Sequence, residues 1–290
     1  MRNFCGLTLT LTIALLGSGC TSTHRTAYVP NAAAPLGETQ ALVAAAHPEI
    51  EADINESNIT AFTGGGLIFA LVDAGINTSR SKKAVNRITP LRDALADHEA
   101  AVEFADALRS AFEPGAPLLL KTVDPIAPLS PKELAGKAAD MQADAVLLLS
   151  LQYRLDAGCS RIETQVEARM ATPKSAKPLY RNLFATYRDL PTDARGDQDS
   201  NIALWAADNG ALARSALQAA FAELARMVVF DLPRGVEANQ VARAAWDASA
   251  PAPRAPGFPP NLMMRGQKVS EDETRMWVRL STGELSSVDL

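Results

Sequence analysis

Histidine and cysteine are scarce, with three of each in 290 residues. His24, His47 and His98 fall into no metal-ligand spacing such as His-Glu-x-x-His, and no cysteine pair stands at zinc spacing, so neither a metal nor a cofactor is expected. Of the cysteines, Cys5 and Cys20 lie near the start and Cys159 is alone in Asp156-Ala157-Gly158-Cys159, which reads as a hairpin turn with no histidine close by in sequence. Once the leader described below is removed and Cys20 modified, no intramolecular disulfide can form, and stability has to come from packing. A Gly-x-Ser-x-Gly elbow is lacking, as is a Gly-Lys-Ser/Thr ending to the triple glycine at 64–66. Positive charge is not in excess either. The net charge is −5 with both signs interspersed, which excludes a nucleic-acid binder that tracks phosphates along a basic face.

What is present at the start of the chain is a leader. Arg2 supplies a positive n-region, and Leu7 to Leu16 supplies an apolar run shorter than the roughly 20 residues of a spanning helix. Small residues Gly17, Ser18 and Gly19 then lead to Cys20. This arrangement resembles the lipobox of bacterial lipoproteins, with Gly17 standing where that family usually places leucine. The resemblance implies cleavage before Cys20, a diacylglyceryl group on its thiol, and attachment to a membrane. Thr21 is not the aspartate associated with inner-membrane retention, so the family's sorting logic favours the periplasmic face of the outer membrane.

The expected organisation is a signal peptide at 1–19, a Thr/Ala/Pro-rich tether at 20–49, an α/β domain at 50–232, a helix end and Pro-rich linker at 233–261, and a small hairpin at 262–290. Ile50 to Ile54 alternates as a short strand. Phe62 to Ile76 (FTGGGLIFALVDAGI) is apolar and glycine-rich, and Gly64, Gly65, Gly66, Leu67 and Phe69 are candidate membrane- or partner-contacting residues. The opposing reading is a buried glycine-rich turn entering a core helix. Thr89-Pro90 opens a helix whose apolar positions recur from Leu91 through Phe112. Leu118 to Val123 is a strand candidate, and Ser130-Pro131-Lys132-Glu133 reads as a capping box for a helix running to about Met141.

From Ala145 to Leu155 a continuous apolar run passes into alternation, as in a strand buried first on both faces and then on one. Ile162, Thr164, Val166, Ala168 and Met170 then point one way, and Arg161, Glu163, Gln165, Glu167 and Arg169 the other. Leu179, Leu183 and Tyr187 belong to a third strand, and Ile202 to Val228 forms a long amphipathic helix started near Asp199. Arg275 to Leu280 and Glu284 to Val288 make a terminal hairpin whose edge is free for strand addition.

The order predicts an α/β or α+β fold: a mixed sheet with a three-strand antiparallel meander, helices packed on it, and a C-terminal hairpin. In element order alone it is similar to the curli secretion lipoprotein and the amino-terminal domain of the Tol translocation protein, a likeness that transfers no residue or function. Carboxylates are weighed as acid and base: Asp140 with Asp144, and Glu163 with Glu167. The second pair is interleaved with arginines on the solvent face, and no catalytic residue is assigned. The chain thus reads as a lipid-anchored periplasmic binding or assembly factor of the bacterial envelope, with a membrane and an envelope protein as its partners. The rival expectations are a periplasmic hydrolase acting on cell-wall or lipid material, and a secretion or pore component using residues 62–76.

Overall fold

The computed structural model describes residues 25–26, 38–52, 84–112, 120–128, 143–172, 178–232, 266–280 and 282–289, together with Glu133, Gly136, Lys137, Asp140 and Met141. Cys20, the segment 62–76 with Gly64, Gly65, Gly66, Leu67 and Phe69, Ser130 to Lys132 and the linker at 250–260 lie outside the described residues.

Among the described residues, nine strands form one mixed sheet. They are β1 (Thr39–Ala45), β2 (Glu51–Ala52), β3 (Leu120–Pro125), β4 (Ala145–Leu155), β5 (Arg161–Ala171), β6 (Tyr180–Asp189), β7 (Gly266–Glu271), β8 (Arg275–Leu280) and β9 (Leu285–Asp289). The order across the sheet is β3-β1-β4-β5-β6-β9-β8-β7, with β2 pairing β4 separately. β4, β5 and β6 are the expected meander, with Val146 opposite Ala171 and Met170 opposite Tyr180. The α/β architecture, with its helices and C-terminal strands, is as the residue pattern implies.

Helices α1 (Thr89–Ala94), α2 (Ala100–Ala111) and α3 (Gln198–Asp231) cover one face. Facing them, Ile162, Val166, Ala168 and Met170 of β5 are fully buried, as are Phe104 of α2 and Leu217, Leu224 and Val228 of α3. Burial of large aromatics such as Trp205, Phe104, Phe184 and Phe221 dominates this core, because each removes about 150–250 Å² from water. On the opposite face a small cluster of Leu42, Val146 and Leu148 is covered by Ile126 and Met141. A second, of Ala185, Tyr187, Met276, Val278 and Val288, ties β6 to β8 and β9.

Four sequence expectations need correction. Thr39–Ala45, placed in the tether, is a buried strand lying between β3 and β4 in parallel with both. Its Ala-rich run TQALVAA has low intrinsic β preference and is held by burial on both faces. The helix expected from Thr89 to Phe112 is two helices joined by a turn at 95–99. Thr89 is also not its cap, since residues 84–87 are already helical and the Thr89 hydroxyl donates back to the Val85 carbonyl at 3.2 Å.

The third correction concerns α3, which is broken within its length. Ala207 is extended, and Asp208, Asn209 and Gly210 have φ of 52°, 57° and 73°. This break meets the α1–α2 corner: Arg214, just after it, donates to the Ala94 carbonyl at 2.6 Å and pairs with Asp97 at 2.5 Å. One guanidinium therefore closes the end of α1 and holds the two bends together. Finally, β8 and β9 are not a free-edged hairpin. β9 pairs β6 in parallel, with Phe184 opposite Leu285, while β8 lies between β9 and β7. Among the described strands the main order ends at β3 and β7, and each carries a lysine, Lys121 and Lys268.

Candidate functional site

Charge is concentrated where the second half of α3 crosses β6, β9 and β8. The buried stripe of that helix runs through Leu217, Ala220, Leu224 and Met227, and the same spacing carries it to Asp231. Asp231 is fully buried and accepts from five donors. Tyr180 Oη reaches it at 2.8 Å, Asn182 Nδ2 at 2.9 Å and Arg279 Nη2 at 2.5 Å. Arg25 adds Nη2 at 3.1 Å and Nε at 3.3 Å. Burial alone would push this carboxyl up, but Arg279 and Arg25 override it and hold the group below the usual carboxylate value. The same pair of effects, burial first and the Asp231 charge second, drives the Tyr180 hydroxyl well above its ordinary value.

Two turns back along α3, Glu223 makes a second node. It accepts from Trp277 Nε1 and Ser287 Oγ, each at 2.6 Å, pairs with Arg226, and has Arg275 Nε at 3.7 Å. Arg275 in turn donates to Ser287 Oγ at 2.8 Å and Thr186 Oγ1 at 3.0 Å. Arg275, Trp277 and Arg279 share one face of β8 because alternate residues do, and that face meets α3.

Arg25 belongs to the stretch that precedes β1. Thr26 forms an antiparallel bridge to Arg181, with backbone bonds of 2.7 and 2.9 Å. The Arg25 side chain passes beside Gly283, whose φ is 90° and where an added Cβ would stand 2.4 Å from Arg25 Cβ. Only glycine combines that backbone conformation with that close approach. Part of the segment expected to be a free tether is thus bonded into the fold.

The other candidates among the described residues make local contacts. Cys159 is buried in the β4–β5 turn with φ of 53°, its carbonyl accepts from Trp205 Nε1 at 2.9 Å, and burial pushes its thiol up to about 11. Glu163 pairs with Arg154 at 2.8 Å, and Glu167 with Arg169 and Arg181, each at 2.7 Å, as a charge-laced sheet surface. Asp144 accepts from the Glu38 backbone at 3.0 Å. His98 lies in the α1–α2 turn, stacked on Phe221 with centroids 5.9 Å apart, its Nδ1 2.8 Å from Glu103. A groove of about 380 Å³ along β3 is lined by Arg109, Phe112, Leu120 and Lys121 among others, and its cations pair with Asp106 and Glu38. Among the described residues, no cluster of three metal-ligating side chains occurs and no helix is long and apolar enough to cross a membrane.

The buried network escaped sequence reasoning. Asp231 and Glu223 are each a lone acid on an apolar helical stripe, and Arg275 and Arg279 alternate in RMWVRL. These were the available signals, and each points to a charge buried against an opposite one.

No family model matches the chain, and no curated protein matches it. Among solved structures, it is similar to protein XCC0632 from Xanthomonas campestris, described by the family model DUF330. Identity there is 16%, covering 74% of this chain and 99% of that one, with a TM-score of 0.34. The PelC dodecamer from Paraburkholderia phytofirmans matches at 14% identity, over 72% of this chain and 94% of that one, with a TM-score of 0.30. At such scores neither likeness carries a structural or functional argument.

Proposed function

We propose that this protein is a lipid-anchored binding or assembly factor of the bacterial envelope, attached through Cys20 to the periplasmic face of the outer membrane and acting through protein contacts. The observation that supports it best is the position of Arg25. A lipobox-like leader ends at Cys20, and five residues later the chain is bonded into the folded sheet, as suits a domain held close to its anchor. Of the carboxylates weighed for hydrolysis, Glu163 and Glu167 are tied to arginines and Asp144 to the Glu38 backbone. Partner contact falls to surfaces remote from the anchor and to the two sheet edges.

Cys20→Ala is the direct test. Envelope fractionation and intact-mass measurement should show the wild type with a lipid-modified Cys20 in the membrane fraction, and the variant released or stalled in processing. Identical processing and solubility in both would remove the anchor. Crosslinking in whole envelopes should then recover a reproducible protein partner, and a failure to recover any would count against the assembly role.

A further inference from the structure

The two ends of the sheet differ in what they carry. One gathers the starts of β1, β4, β6 and β9 and the ends of β5, β8 and α3, as fixed by the pairings Thr39 with Ala145, Leu147 with Met170, Met170 with Tyr180, and Phe184 with Leu285. The other carries the turn from Asp156 to Ser160, the 3-10 turn Thr192–Ala194, and the start of α3 capped by Asp197. Arg25 and Thr26 are held at the first end, against Arg181, Asp231 and Gly283.

Chain length then decides which end meets the bilayer. Five residue steps separate Cys20 from Arg25, and fully extended they reach at most about 18 Å. β5 alone, spanning Arg161–Ala171, extends about 33 Å from one end of the sheet to the other. While Arg25 stays bonded to Asp231, the far end is beyond the reach of the anchor.

We propose that the Arg25–Asp231 pair is an orientation clamp that lays the sheet end formed by Thr172, Arg181 and the β8–β9 turn against the lipid surface and directs the Asp156–Ser160 and Thr192–Ala194 end away from it. The proposal rests on the lipid at Cys20 argued above. The bilayer is the occupant of this end because the chain that leaves it is too short to lead elsewhere. The far end, with Ala157, Gly158 and Asp193 at its tip, is held away from the lipid. The clamp also converts a flexible attachment into a fixed one, so that the protein meets its partner from a single direction.

The test uses the full-length lipid-modified protein in phosphatidylethanolamine–phosphatidylglycerol vesicles that contain a headgroup nitroxide lipid. A thiol-reactive fluorophore is placed through Thr172→Cys in one sample and Asp193→Cys in another. Cys159 is 4% exposed and stays unlabelled. Quenching should be several-fold stronger at position 172 than at position 193. Inserting about 20 Gly/Ser residues between Thr23 and His24, which leaves the clamp intact but lengthens the leash by more than 20 Å, should erase most of that difference. Equal quenching at the two positions in the unmodified background, with intact mass showing a lipidated Cys20, overturns the clamp alone. A mature mass without lipid overturns the anchoring itself, and this proposal with it.

Discussion

Asp231 shows how much rests on single buried groups. Its two guanidinium partners have 3% and 7% of their side-chain surface exposed, and Asp231→Asn would remove the carboxylate that both of them face. A loss of about 3–5 kcal/mol is expected in urea unfolding, since breaking a buried pair costs far more than the intact pair contributes. The carboxyl is held below its unfolded value, so the stability it provides is complete above about pH 4 and drains away as pH falls through the folded value. Glu284 runs in the opposite sense. Burial, weakly opposed by the Ser286 hydroxyl, pushes it up to about 7 from an unfolded value of 4.5. The folded chain therefore holds an extra proton across that window, and stability falls as pH rises through it. Glu284→Gln should flatten the pH 4.5–7 portion of a melting-temperature profile and raise the value at pH 8; an unchanged slope would contradict this. Thr164 is fully buried, and among the described residues its hydroxyl has no hydrogen-bond partner. Thr164→Val should accordingly stabilise the fold by about 1 kcal/mol in the same unfolding assay.

At the scale of elements, the bend in α3 and the corner between α1 and α2 act as one joint. Gly210 has φ of 73°, and an added Cβ would meet the Ala94 carbonyl and a Leu95 methyl, each at 3.3 Å. Gly210→Ala should cost about 1–2 kcal/mol from the left-handed backbone alone, with chemical denaturation as the measure. The joint also explains which features could be read in the residues beforehand. β4, β5 and β6 were legible because each obeys its own period, with Ile162 to Met170 alternating over nine residues. The α1–α2 corner was not, because the apolar positions from Leu91 to Phe112 keep helical spacing through it, and the side chain that holds the corner, Arg214, comes from a distant helix. β1 was hidden in its alanines, which have little strand preference until two neighbouring strands enclose them. The Asp231 node was equally hidden, since its partners come from three remote parts of the sequence and no local pattern records their meeting.

The whole molecule depends on its last strands. Arg275 and Arg279 neutralise carboxylates that α3 has already buried, and Leu285 completes the main core. A chain truncated after residue 261 should therefore fail to give the full protein's cooperative melt, and circular dichroism with amide hydrogen exchange should show β4–β6 unprotected. Retention of a sharp transition would mean that β1 to β6 form a self-sufficient unit. The parallel pairing of β9 with β6 sets an order in time as well as in space. Some hundred residues separate these two neighbours, so β9 leaves a ribosome or a translocation channel well after β6. Until β8 and β9 arrive, Glu223 and Asp231 lack cations from β8 and the sheet has a gap beside Phe184. The sheet can therefore close beside Phe184 only after residues 275–289 have been made.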